Sequence, residues 1–318
     1  MAVDSRVLHD IGATRERTDR PAPRRAPRAL ATQAPRVSVV IPALNEARNL
    51  ERLLPTLPDG LFEVILVDGA STDGTIEIAQ RLRPDVRVVI QTRRGKGNAM
   101  ACGFAAARGD IIVTLDADGS ADPAEISRFV EALVAGADFA KGSRGLQGGG
   151  SDDITALRGA GNRVLSFLVN RLCGSRYTDL CYGYNAFWAA TCLPVLDLEW
   201  AAPLPDDGSY LWGDGFEIET LLYLRAAQAD LTVVEVPSHE RSRLHGVSNL
   251  HAPRDGMRVL RTIFVEVRRA HRLRRERRRI AAAIAGNAPT PRTEEGAPCA
   301  QSGRRLYPET GGPAVAAR

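Results

Sequence analysis

The chain predicts an α/β fold, a mostly parallel sheet flanked by helices, and three observations lead there. Apolar, β-branched runs recur between residues 37 and 116, each followed by a helical pattern. Strand and helix alternating at that spacing make βαβ units and therefore parallel pairing. The runs lack the polar alternation of a half-exposed strand, which fits strands covered on both faces. With 318 residues and 44% hydrophobic content, the chain can also bury one large core.

In order, strands are expected at VSVVIP (37–42), EVILVD (63–68), VRVVIQ (86–91) and IIVTLD (111–116). Helices follow from about Glu46, Thr72, Gly97 and Pro123. Asp73 and Thr75 mark one amino end and Asp122-Pro123 another. After DFAKGSR (138–144), the polar, glycine-rich stretch from Gly145 to Thr155 is long enough for a lid or acceptor loop. A helix near 157–172, a strand at YGYNAFWAA (182–190) and a Pro/Gly/Asp loop at 201–213 come next. A helix from Gly215 to about Gln228, the strand LTVVEVP (231–237) and a basic helix from about Pro253 complete the set. These later elements read as an addition to the same sheet, so one domain is expected over 37–265, followed by a basic helix at 266–285. Residues 1–36 and 286–318, without apolar period, read as a disordered basic arm and a disordered tail.

The net charge of +4 conceals an acidic body between basic ends, and only two lysines occur, Lys96 and Lys141. No apolar stretch approaches the roughly 20 residues of a membrane-spanning helix, and the amino terminus lacks the apolar core of a secretory signal. A cytoplasmic protein is expected. In the basic helix Met257, Leu260, Ile263, Phe264 and Val267 recur at helical spacing and should pack on the domain. The arginine run beyond them either lies on anionic lipid, making the protein peripheral on the cytosolic face of the membrane, or ends solvated. No aromatic interleaving accompanies these arginines, so nucleic acid is not an expected partner. Five cysteines, odd in number and without a C-x-x-C pair, read as reduced thiols.

The chemistry gathers where strands end. Asp116 and Asp118 follow a strand and precede Gly119-Ser120, so two carboxylates are expected at one point of the sheet edge where such folds bind ligands. Hard oxygen donors suit Mg²⁺ or Mn²⁺, which would neutralise a diphosphate. Gly95-Lys96-Gly97 lets backbone approach a ligand while one cation meets phosphate, and it lacks the spacing of a P-loop. Arg158 and Asn162, four apart, share a helix face. Asp214 and Glu217, three apart, are expected to face one cleft, with Glu219 turned elsewhere.

Taken together, IPALNE (41–46), LVDGASTDGT (66–75), RRGKGNA (93–99), LDADGS (115–120) and KGSR (141–144) stand in order at successive strand ends. This resembles the family 2 inverting glycosyltransferases, with a GT-A-like fold. RGAGN (158–162), DLCYGYNAF (179–187), FEIETLL (216–222) and RLHGVSN (243–249) bring it closer to the dolichyl- or polyprenyl-phosphate sugar synthases. The resemblance implies that Pro42, Ala43 and Glu46 touch the nucleotide, with Glu46 equally readable as a helix-start charge. It implies Asp68 as acceptor for the N–H edge of a uracil or guanine, Lys96 and Gly97 at phosphate, Asp116 at ribose or metal-bound water, and Asp118 as direct metal ligand. Arg144, Arg158 and Arg243 match positions that meet the lipid phosphate or the donor diphosphate, with Asn162 and Ser248 beside them. Where many relatives carry Lys, this chain has Asn249.

The function so implied is metal-dependent inverting transfer of a sugar from a nucleoside-diphosphate sugar to a polyprenyl phosphate. Asp118, Arg144, Glu217 and Asp214 are the candidate catalytic groups. For a hydroxyl acceptor, on a polysaccharide or a small metabolite, Glu217 is the first choice of general base and Asp214 the second. For a phosphate acceptor Glu217 would orient an arginine instead. A nucleotide-sugar-binding protein without turnover is the remaining alternative.

Overall fold

In the computed structural model, which describes residues 34–246 and 251–286, the first strand β1 (Val37–Ala43) leads into helix α1 (Ala47–Leu53). Strand β2 (Glu63–Asp68), helix α2 (Thr75–Leu82), strand β3 (Arg87–Ile90), helix α3 (Lys96–Ala106) and strand β4 (Ile111–Thr114) continue the alternation. Helix α4 (Ile126–Val134) and strand β5 (Phe139–Ser143) follow, then the short strand β6 (Gly150–Ser151), helix α5 (Ala156–Cys173), strand β7 (Asn185–Trp188) and helix α6 (Ala189–Leu196). Helix α7 (Ile218–Gln228), strands β8 (Val233–Pro237) and β9 (His239–Glu240) and helix α8 (Ala252–Gly286) close the sequence of elements. Ser248 and Asn249 lie outside the described residues, as do nearly all of the expected arm and tail.

Seven strands form one sheet in the order β3-β2-β1-β4-β7-β5-β8, and β6 pairs with β9 apart from it. All main-sheet pairings are parallel except those of β7, which runs antiparallel to both β4 and β5. Apolar periodicity carries no record of pairing direction, so this one reversal was not expected. The strand at 182–190 is also shorter than expected, because Ala189 already opens α6.

The apolar runs are explained by two cores, one on each sheet face. Val39, Ile41, Val64, Leu66 and Val113 join one with Phe129 and Leu133 of α4. Val40, Ile65, Val67 and Ile112 join the other with Phe104 of α3, Phe187 of β7 and Leu221, Leu222 and Tyr223 of α7. Consecutive strand residues thus point to opposite, equally buried layers. The chain divides into two units, Met1–Arg272 and Leu273–Arg318, and the sheet belongs to the first. No helix among the described residues is long and apolar enough to cross a membrane.

Candidate active site

Two cavities open beyond the carboxyl ends of β1 and β4. The smaller, about 160 Å³, is walled by Pro42 and Ala43 at the end of β1 with Leu44 and Glu46 after it, by Gln91 and Gly95 between β3 and α3 with Lys96 and Ala99 in the first turn of α3, and by Asp116 to Asp118 after β4. The larger, about 400 Å³, runs along α5 past Arg144, Arg158, Asn162 and Glu219. Lys96, Asp116, Asp118, Phe216 and Arg243 line both, and form the partition between them.

Asp116 and Asp118 reach this partition by a turn and not by strand alternation, since β4 ends at Thr114. Ser120 N donates to Asp118 Oδ1 at 3.0 Å, and the positive φ of Gly119 (75°) lets the chain turn there. Lys96 Nζ lies 2.8 Å from Asp116 Oδ1 and 2.7 Å from Glu219 Oε1. Burial works to lower the Lys96 pKa, but Asp116 and Glu219 outweigh it and hold the ammonium above its ordinary value. Burial raises the Glu219 carboxyl, and Lys96 offsets only part of that rise. Gly183 makes the cluster sterically feasible. A Cβ there would stand 2.8 Å from Lys96 Nζ, 3.1 Å from Glu219 Oε1 and 3.2 Å from Asp116 Oδ2.

Arg243, expected to meet the lipid phosphate or the donor diphosphate, bridges Asp118 Oδ2 at 2.9 Å and Glu46 Oε1 at 3.4 Å. Burial raises the Glu46 carboxyl, against the hydrogen bond from Asn49 and the charge of Arg243. In the turn after β1 three backbone N–H groups are committed within the protein: Asn45 N donates to Ser71 Oγ, Glu46 N to Thr75 Oγ1 and Ala47 N to Asp73 Oδ2. Asp73 also accepts from Thr75 N at 3.1 Å, so its role is capping. Asp68 sits beside Ala43 in register, accepts from Ser71 N at 2.9 Å, and leaves its buried Oδ1 without a partner.

On the larger cavity, one carboxylate organises the wall. Asp179 receives Arg144 Nε at 2.6 Å, Arg144 Nη2 at 3.0 Å and Asn162 Nδ2 at 2.9 Å. Arg144 Nη1 donates to Glu240 at 2.9 Å, and its guanidinium lies over the Tyr182 ring, 4.9 Å from the centroid. Three of the five guanidinium N–H groups are so committed, leaving two. Burial would raise the Asp179 carboxyl, but the hydrogen bonds and charge of Arg144, helped by Lys141, bring it down to about 2. Arg158 and Asn162 do share the cavity face of α5, and Arg158 Nη1 lies 3.3 Å from Asp153 Oδ2.

Four expectations are corrected here. Gly97 does not face the smaller cavity: its N–H donates to the Asp214 carbonyl at 2.8 Å, and a Cβ on it would lie 1.8 Å from the Gly213 oxygen, so Gly95 lines the cavity in its place. Asp214 is buried against Arg93 and lines neither cavity. Glu217 is also buried away from both, accepting from Gly215 N at 3.3 Å, while Glu219, expected to point elsewhere, faces the larger one. The helix starts at Ile218 and not at Gly215, so helical spacing does not relate residues 214 and 217.

A divalent cation fits the donor chemistry of the partition. Asp116 and Asp118 offer only hard oxygens, and among the described residues no group of three or more His, Cys, Asp and Glu side chains is arranged to hold a metal. Two carboxylates with the remaining positions left to phosphate and water are a common way to bind Mg²⁺.

The model of glycosyl transferase family 2 matches residues 38–190. The undecaprenyl-phosphate mannosyltransferase of Micrococcus luteus is 35% identical over 64% of this chain and 82% of its own length. The polyprenol monophosphomannose synthase of Mycolicibacterium smegmatis is 33% identical over 68% and 81%. The dolichol-phosphate mannosyltransferase of Pyrococcus furiosus is 31% identical over 75% of this chain, which spans only 63% of it. Among solved structures, glucosyl-3-phosphoglycerate synthase from Mycobacterium tuberculosis, in complex with Mn²⁺, uridine diphosphate and phosphoglyceric acid, superposes with a TM-score of 0.55 at 22% identity, covering 73% of this chain and 78% of that one. The chain belongs to glycosyl transferase family 2. Its fold is GT-A-like, as the motifs led us to expect.

Proposed function

We propose that this protein transfers a sugar, with inversion, from a nucleoside-diphosphate sugar in the smaller cavity to a polyprenyl phosphate in the larger. The observation that carries this reading is the common partition of Lys96, Asp116, Asp118 and Arg243, which puts cations and carboxylates where two substrates would meet. Asp68 Oδ1, buried without a donor and lining neither cavity, would meet the N–H edge of a base only by turning toward the smaller one. Arg144 has two N–H groups left for phosphate oxygens and Arg158 stands beside it, while Ile154, Leu157, Leu165 and Val259 offer apolar surface to the first part of a prenyl chain. The relatives named for undecaprenyl and polyprenol phosphates favour the same acceptor class.

An acceptor phosphate is anionic at neutral pH, so the protein's task is orientation more than proton removal. Lys96, kept protonated, is placed to face the departing diphosphate. Asp116 and Asp118 would hold Mg²⁺ or Mn²⁺, which supplies further neutralisation of that diphosphate when bound. Leu157, Val164 and Phe167 are 73%, 66% and 70% exposed on one face of α5, the helix that also lines the larger cavity. Exposed apolar side chains at that place favour approach to a membrane surface, where a prenyl phosphate resides. This assigns lipid contact to α5 as well as to the arginines of α8.

The test is incubation of the full chain and Mn²⁺ with a panel of nucleotide sugars, against a prenyl phosphate and against soluble sugars, read by mass spectrometry. A glycosylated prenyl phosphate is expected. Transfer to soluble hydroxyls alone would establish the second reading, which the carboxyl of Glu219, raised by burial and facing the larger cavity, supports as general base. Binding without turnover on any acceptor would overturn both.

A further inference from the structure

The carboxylates that a divalent cation would use already hold cations of the chain itself. Arg243 Nη2 lies 2.9 Å from Asp118 Oδ2, and Lys96 Nζ lies 2.8 and 2.9 Å from the two oxygens of Asp116. The fourth oxygen, Asp118 Oδ1, accepts from Ser120 N. The smaller cavity is therefore lined by three carboxylates, Glu46, Asp116 and Asp118, against two cations, Lys96 and Arg243.

Each visitor alone meets an unfavourable field. A lone divalent cation would have to displace Arg243 from Asp118 or Lys96 from Asp116 while both stay within a few ångströms, held there by Glu46 and Glu219. A lone diphosphate would face the three carboxylates. Arriving together, the two could exchange partners with the protein: Arg243 and Lys96 would turn to diphosphate oxygens, and Asp116 and Asp118 would be free to hold the cation.

Arg243 is the member able to make that exchange. It belongs to the stretch Arg241–Gly246, which has no regular secondary structure and is joined to the turn after β4 by backbone bonds from Arg241 N to Ser120 O (2.8 Å) and Leu244 N to Asp118 O (3.3 Å). Its backbone is tied beside Asp118, while its long side chain can swing between Asp118, Glu46 and an incoming phosphate.

We propose that Arg243 is a resident counter-cation of Asp118, which makes divalent-cation binding conditional on the donor diphosphate. The inference rests on the donor reading above. Linkage requires the effect to be mutual, so the cation must tighten nucleotide binding by the factor with which the nucleotide tightens cation binding.

The experiment is Mn²⁺ titration of the full chain by electron paramagnetic resonance, alone and with UDP, GDP, ADP or CDP. Wild type should bind Mn²⁺ weakly alone and at least about tenfold tighter with the matching diphosphate. R243Q should bind Mn²⁺ severalfold tighter than wild type without nucleotide, and gain less from adding it. R241Q removes a nearby charge that pairs with Asp122 and not Asp118, and should behave as wild type. R243A serves as a second variant, with thermal melting as the check of folding. Unchanged or weaker Mn²⁺ binding by folded R243Q and R243A, or an equal gain from R241Q, overturns the proposal alone. Failure of wild type to bind Mn²⁺ with any of the four diphosphates overturns the donor reading and the proposal with it.

Discussion

Arg93 and Asp214 form a two-point ion pair, Nε to Oδ2 and Nη2 to Oδ1, both at 2.9 Å, with each side chain almost wholly enclosed. Arg93 Nη1 also donates to the Ala202 carbonyl at 2.7 Å, and Asp214 Oδ2 accepts from Leu211 N at 2.9 Å. The pair thereby fastens the long loop before α7 to the turn that carries Lys96. Asp214→Ala leaves an uncompensated buried guanidinium and should cost about 3–5 kcal/mol of stability, measured by urea unfolding. Wild-type stability with lost turnover would return Asp214 to the list of catalytic groups.

Asp118→Ala should abolish transfer, and Lys96→Met should lower kcat by about 10²- to 10³-fold, the usual loss on removing one group that stabilises developing charge. Steady-state kinetics at saturating donor and metal check both. Near-normal turnover by Asp118→Ala would refute its role.

Gly183→Ala puts a methyl group among Lys96 Nζ, Glu219 Oε1 and Asp116 Oδ2. These are the far ends of side chains, which can yield, so the fold should survive with a melting temperature close to wild type. Turnover should fall by roughly tenfold or more, because the ammonium moves from its place. Unchanged kinetics would show that the position of Lys96 is not limiting.

Asp179 predicts an acid limb in the stability curve. Its folded pKa is about 2, below the ordinary carboxylate value of 3.8, so its contribution is fully present above that ordinary value and is lost as pH falls through the folded one. The loss should amount to about 2 kcal/mol between roughly pH 5 and pH 2. Asp179→Asn should be less stable at neutral pH and show a flatter acid limb in urea titrations; parallel curves for the two proteins would contradict the assignment.

Val164→Ser and Phe167→Ser on the outer face of α5 should leave stability within about 0.5 kcal/mol and reduce co-sedimentation with liposomes severalfold. Undiminished binding would place lipid contact elsewhere.

The half of the sheet from β1 to β4 was legible because β1, β2 and β4 are covered on both faces and so carry unbroken apolar runs, while the half-exposed edge strand β3 keeps the β-branched run Val88-Val89-Ile90. The places of Asp116, Asp118 and Lys96 were legible for a related reason: they stand in the turn that follows β4 or at the start of α3. The acids of α7 were not. Whether Asp214, Glu217 or Glu219 meets the cavity depends on where the helix begins and on Arg93, a partner 121 residues away in the chain. Local spacing encodes neither. Arg144, Arg158 and Arg243 were recognisable by motif, yet their carboxylate partners at Asp179, Asp153 and Asp118 are choices made by the tertiary fold.

The reversed strand β7 separates the chain into two provinces. Apart from Phe216 and Arg243, every residue lining the smaller cavity precedes Gly119, whereas most of the larger cavity is supplied after Ser143. Mutation after Ser143 can therefore remodel most of the larger cavity while leaving most of the wall of the smaller one untouched, which gives this architecture a ready route to diversify by drift in its second half.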